Sequence, residues 1–137
     1  MRRLLLPLLL LTFSHAFGQT PSPTPAPRNY PAFVEGDYVI KNFQFRSGET
    51  LPELNMHYRT IGTLKTNSAG IAENAVWIGH GTGGSGTSLL NPTFANVLFG
   101  PGQLLDATKY FIILPDGLGH GKSSKPSDGL QDRKSVV

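Results

Sequence analysis

The period of hydrophobic and polar positions changes several times along the chain. Residues 37–45 carry Tyr38, Val39, Ile40, Phe43 and Phe45, types that suit a β-strand. Ser47-Gly48 supplies a turn,. Beyond it Leu54, Met56 and Tyr58 alternate with Asn55, His57 and Arg59, a period of two that gives a strand one apolar face. The polar set is expected to face water, which makes His57 a solvated surface histidine. The pair reads as an antiparallel hairpin at a sheet edge. Ala75-Val76-Trp77-Ile78 and Tyr110-Phe111-Ile112-Ile113-Leu114 are short and continuously apolar, as strands buried on both faces must be. Between them Asn91-Pro92 starts a short helix through Phe99, with proline at its first position,. Gly100-Pro101-Gly102 stops it. A hairpin followed by strand–helix–strand predicts an α/β protein whose mixed sheet becomes parallel.

The first residues follow another logic. Arg2-Arg3 precedes an apolar run over residues 4–13, and small residues suited to cleavage follow at Ser14-His15-Ala16 or Ala16-Phe17-Gly18. Residues 1–18 therefore read as a signal peptide, and the protein as exported, periplasmic or secreted. The run falls well short of the roughly 20 apolar residues that span a bilayer, and Pro7 weakens it as a helix,. No stable membrane span is expected. Prolines 21, 23, 25, 27 and 31 make residues 19–34 an extended linker,. The body runs from residue 35 to 131.

Charge narrows the partners. The net charge of +3 comes from the ends of the chain. Between Gln19 and Gln131, eight Lys/Arg balance eight Asp/Glu. That balance gives no electrostatic case for nucleic acid or membrane binding. With no cysteine, thiolate chemistry, disulfides and cysteine-ligated zinc are excluded. No metal or cofactor is expected.

Candidate chemistry lies where each buried run ends. Ligand sites of α/β folds gather in loops at the carboxyl ends of parallel strands. His80-Gly81-Thr82-Gly83-Gly84 follows the first run, and Asp116-Gly117-Leu118-Gly119-His120-Gly121-Lys122-Ser123-Ser124-Lys125-Pro126 follows the second. The first resembles the HG-type oxyanion loop of α/β-hydrolases, in which a backbone N–H stabilises the tetrahedral oxyanion. That resemblance makes Thr82 the donor, with Gly81 and Gly83 shaping the loop. The alternative is a glycine-rich turn without catalytic duty. The second loop resembles the D-x-x-G-x-G-x-S-S-x-P element of the same superfamily, which makes Asp116, Gly119, Gly121 and Ser123 structural. "FRSGETLPELNMHYRTIGTL" and "GPGQLLDATKYFIILPDGLG" further resemble homoserine O-acetyltransferases and their unassigned relatives over about residues 35–131.

The resemblance implies an α/β-hydrolase fold, of which this chain holds the N-terminal portion. It also implies a Ser-His-Asp triad with the serine on a G-x-S-x-G elbow. That motif is absent here. Gly83-Gly84-Ser85-Gly86-Thr87 lacks the final glycine and follows the wrong strand. His80 and His120 hold loop positions that the resemblance marks as structural, and Asp116 is read as capping its loop. The order serine, acid, histidine places the triad beyond residue 131, so the fragment itself is expected to be inactive and to fold poorly. The intact protein then acts on a small ester or acyl substrate, as an esterase-like serine hydrolase or as a homoserine O-acetyltransferase-type acyltransferase. Export favours water over a cytoplasmic acyl donor.

Two other classes remain open. A non-catalytic binding module is one. The other is a phosphate-binding P-loop, which the run from Gly117 to Ser123 imitates although Asp116 stands where its first glycine is required,. Residues 132–137, Asp132-Arg133-Lys134-Ser135-Val136-Val137, are expected to be a non-native tail. They translate one frame of a common sequencing-adapter start, GATCGGAAGAGCGTCGTG, whose next bases are a stop codon.

Overall fold

The computed structural model describes residues 27–128. The segments expected to be a signal peptide and a non-native tail, and the first part of the expected linker, lie outside the described residues. Strand β1 (Val34–Gln44) and strand β2 (Thr50–Ile61) form the expected antiparallel hairpin, in register from Val34↔Thr60 to Gln44↔Thr50. Strand β3 (Ala75–Trp77) leads through a 3-10 turn (Gly86–Leu90) and helix α1 (Pro92–Leu98) to strand β4 (Phe111–Pro115). The sheet order is β1-β2-β4-β3, with β4 antiparallel to β2 and parallel to β3. The switch from antiparallel to parallel therefore falls on β4.

Helix α1 begins where its cap dictates. The Asn91 side chain accepts the Phe94 N–H at 3.0 Å, and Pro92 opens the helix without wasting a donor,. Its Ala95, and Phe99 at its C-terminal cap, are buried against Ile61, Ile112 and Leu114 of the sheet. Tyr30 and Phe94 meet Phe99 edge-on at 5.7 and 5.9 Å between ring centres, a favourable aromatic geometry. Pro27, Asn29 and Tyr30, near the end of the Pro-rich segment, thus already contact the body. Asn29 Nδ2 also donates to the Asn96 carbonyl at 2.8 Å.

Two burial expectations need correction. Strand β4 is covered as expected, but β3 is not. Ala75 and Trp77 are exposed, Trp77 to 68%. Only Val76 and Ile78 turn toward the core side. β3 has β4 on one edge, and no described element covers its Trp77 face, so apolar continuity does not translate into two-sided burial. In β2 beyond Leu54 the more deeply covered face is the polar one. His57 and Arg59 are each only 4% exposed and share a face with the core residue Ile61, whereas Met56 and Tyr58 are half-buried. His57 is not a solvated surface residue. The face carrying it is closed by the loop after β4, whose polar groups and those of β1 give these side chains partners.

Candidate active site

The loop after β4 is built around Asp116. Its carboxylate is fully buried. Oδ1 accepts the Gly86 N–H at 2.7 Å and the Arg59 Nη1 at 2.9 Å, while Oδ2 accepts the Lys122 N–H at 2.8 Å. Burial pushes the Asp116 carboxyl up, but the Lys122 and Gly86 N–H groups and the Arg59 guanidinium outweigh it and hold the carboxyl below its ordinary value,. With both oxygens committed, the group braces the loop, and no histidine side chain is among its partners in the described residues. Gly121 has φ +52, and a Cβ there would fall on the Asp116 carboxylate. Only glycine lets the chain pass so close.

Ser123 and Ser124 extend the bonding of β2 past its pairing with β4. Ser123 Oγ donates to the Asp116 carbonyl at 2.6 Å and accepts the His57 N–H at 2.8 Å. Ser124 Oγ accepts the Asn55 N–H at 2.9 Å, and its own N–H donates to the Asn55 carbonyl at 2.9 Å. The loop thus satisfies backbone groups that an open strand edge would leave bare. Gly119 has φ +82, and its N–H reaches the Ser124 carbonyl at 3.0 Å, which closes the loop on itself.

The loop after β3 makes a tight turn. The Gly84 N–H returns to the Gly81 carbonyl at 3.0 Å, with Thr82 and Gly83 at the corners. Gly83 has φ +77, the positive value that the third residue of a type II turn requires. Among the described residues the Thr82 N–H meets no acceptor.

His80 ties the two loops together. Its Nε2 accepts the Gly117 N–H at 2.8 Å. Because a backbone N–H can only donate, Nε2 carries no proton in this arrangement. The proton is then assigned to Nδ1, which donates to the Gly81 carbonyl at 2.8 Å,. Both ring nitrogens are occupied, so His80 as placed here is no general base. His120 meets the His80 ring edge-on, 5.1 Å between centres.

The loops enclose a cleft of about 270 Å³ lined by Trp77, His80, Thr82, Leu118 and His120 among others. The Trp77 ring folds back over Gly79 and supplies apolar surface at the rim. Such a cleft, mainly apolar with a few convergent polar groups, suits a small organic ligand. It does not suit a phosphate loop. The Lys122 N–H is taken by Asp116 and the Lys122 ammonium by Glu35 at 2.8 Å. No group of three or more His, Cys, Asp or Glu residues able to hold a metal ion occurs among the described residues.

Sequence reading brought Thr82, His80 and Asp116 to one place but missed Arg59 and Glu35. Arg59 Nη2 meets Glu35 Oε1 at 2.9 Å, and Lys122 Nζ meets Glu35 Oε2 at 2.8 Å. The Lys122 hydrogen bond is the main reason that the Glu35 carboxyl lies below its ordinary value; burial opposes it and Arg59 assists. His57 Nδ1 lies 2.9 Å from Asp37 Oδ1. The signal was available in the register: Glu35 faces Arg59 and Asp37 faces His57 across the hairpin, two complementary pairs on one side.

No protein-family model matches the chain. A probable acyltransferase of Methanothermobacter thermautotrophicus is 34% identical over 90 residues, 66% of this chain and 27% of its own length. Among solved structures, homoserine O-acetyltransferase from Bacillus anthracis matches with a TM-score of 0.52 at 25% identity, covering 66% of this chain and 25% of that one. The acetyl esterase MekB matches with a TM-score of 0.53 at 25% identity, over 73% of this chain and 26% of its own. The mixed sheet, its two glycine-rich loops and these neighbours define an α/β-hydrolase fold. The chain's homologues are proteins named homoserine O-acetyltransferase and acyltransferase, and it spans about a quarter of their length.

Proposed function

We propose that the intact protein is an exported serine acyl hydrolase in which the Thr82 N–H forms part of the oxyanion hole. The observation that carries this reading is the Thr82 N–H itself. Among the described residues it has no acceptor, and it belongs to a turn at the rim of a mainly apolar cleft, braced by His80 against the loop after β4. A fixed, unspent donor beside a ligand-sized cleft suits a site where negative charge develops on an oxygen. A serine ester intermediate formed on a residue outside the described segment would supply the covalent step. Names of the relatives favour a second reading, acyl transfer to an alcohol such as homoserine.

Two assays separate the readings in the intact protein. Hydrolysis of p-nitrophenyl acetate, with one serine labelled by a fluorophosphonate, is the result expected for the hydrolase. Acetyl-CoA-dependent acetylation of homoserine that outruns hydrolysis would establish the transferase instead. Absence of both activities and of labelling would defeat each.

Export is proposed from Arg2-Arg3, the apolar run and the small residues at 14–18,. Expression in a Gram-negative host should yield a periplasmic product whose N-terminal residue is Phe17 or Gln19. A cytoplasmic product still beginning at Met1 would refute export and shift the balance toward the acetyltransferase.

A further inference from the structure

The Arg59 guanidinium is buried between two carboxylates from different elements. Its side chain is 5% exposed, with Nη2 at 2.9 Å from Glu35 on β1 and Nη1 at 2.9 Å from Asp116 at the end of β4. The Asp116 oxygen that it meets is the one that accepts the Gly86 N–H at 2.7 Å. Gly86 opens the 3-10 turn that follows directly on the Thr82 loop. It is packed tightly, since a Cβ there would meet the Leu114 carbonyl oxygen at 2.5 Å and Arg59 Nη1 at 3.2 Å. The loop is thereby held at both ends, by His80 on Gly117 and by Gly86 on Asp116.

We propose that Arg59 is a positioning residue for the Thr82 loop, acting through the Asp116 oxygen that its guanidinium shares with the Gly86 N–H. The catalytic part of this inference rests on the reading of Thr82 as an oxyanion donor; the structural part does not. Asp116 is faced by Arg59 from β2, by the Gly86 N–H from the 3-10 turn and by the Lys122 N–H from its own loop. Behind Arg59 stand Glu35 with Lys122 Nζ, and His57 with its Nε2 3.7 Å from Glu35. Without the guanidinium, burial of Asp116 is opposed by two N–H groups alone. Its carboxyl then takes up a proton at higher pH than in the native protein, and the Gly86 bond loses its charged acceptor. A purely architectural arginine would not tie the loop's order to pH in this way.

The test uses Arg59→Met and Arg59→Lys in the intact protein, followed by amide exchange and by kinetics on p-nitrophenyl acetate. In Arg59→Met, exchange at Gly84, Ser85 and Gly86, the hydrogen-bonded amides of the loop, should rise about tenfold, the scale set by a weakened charged hydrogen bond,. Exchange in α1 should stay as it was. The kcat should fall about tenfold with KM nearly constant, and the acid limb of the pH–rate profile should move to higher pH. Arg59→Lys should recover part of each change. Unchanged exchange at 84–86, or a rise spread evenly over the domain, overturns the proposal. If Arg59→Met does not fold, Arg59→Lys decides it, because a single ammonium cannot bridge both carboxylates as the fork does. Exchange at 84–86 equal to that of the native protein then overturns the proposal. If the native protein hydrolyses no ester, the hydrolase reading fails, while the exchange measurement still decides the role of Arg59 in ordering the loop.

Discussion

Thr82→Pro should lower the kcat of ester hydrolysis by about 10²–10³, the usual effect of losing one oxyanion-hole donor. The substitution is chosen because the backbone tolerates it. Thr82 is the second residue of the turn closed by the Gly84 N–H and the Gly81 carbonyl, and proline is favoured at that position of a turn. The residue before it is Gly81, whose wide conformational range absorbs the restriction that proline imposes on its predecessor. What changes is the Thr82 N–H, which has no acceptor among the described residues and belongs to the lining of the cleft. KM should move little, because the donor is matched to the tetrahedral oxyanion more than to the ground-state carbonyl. Thr82→Ala keeps the N–H and should stay within a few-fold of native kcat. If the alanine and proline variants lose activity equally, the hydroxyl carries the function and the oxyanion assignment is wrong. If neither loses it, the turn has no catalytic duty.

The largest effect on stability is expected at Asp116. Asp116→Ala leaves the Arg59 guanidinium buried without that carboxylate and strips the Gly86 and Lys122 N–H groups of their acceptor. Removing one partner of a buried pair costs about 3–5 kcal/mol, a large share of a typical domain stability of roughly 5–15 kcal/mol. Urea unfolding of the intact protein at neutral pH should show a loss of that size. The pH dependence gives an independent check. The native Asp116 carboxyl lies below its ordinary value, so its stabilisation is present above the unfolded carboxylate pKa and is lost as pH falls through the folded one,. The gap between native protein and variant should therefore be widest near neutrality and narrow in acid. A gap that stays constant from neutrality into acid would mean that the carboxylate charge is not what holds the loop.

The two effects meet in one strand of argument. The Thr82 turn supplies the proposed donor, and Asp116 supplies the anchor for the segment behind it. The loop at 80–86 has exposed residues at its tip, whereas Asp116 and Ser123 are fully buried. A fixed donor in an open cleft requires bracing on the dry side, which is where the buried Arg59–Asp116 pair lies; Glu35 and Lys122 carry the charged network from there out to solvent.

Local chemistry explains what the sequence by itself determined. The cap at Asn91, the stop at Gly100-Pro101-Gly102, the hairpin turn and the apolar run of β4 each act within a few residues, so their consequences were readable in one dimension,. The two glycine-rich loops were legible for the same reason. Tertiary structure alone decided which faces are covered. The alternation in β2 was real, yet it placed His57 and Arg59 on the solvent side, because a period of two fixes which residues share a face and not which face is buried. That choice depended on the loop 116–124 arriving from far along the chain with Ser123, Ser124 and Asp116 to satisfy polar groups. Trp77 erred in the opposite direction, since apolar character is a tendency toward burial that needs a covering element,. The meeting of Arg59, Asp116 and Gly86 joins residues 30 and 57 positions apart in the chain. It exists only because β4 pairs with both β2 and β3.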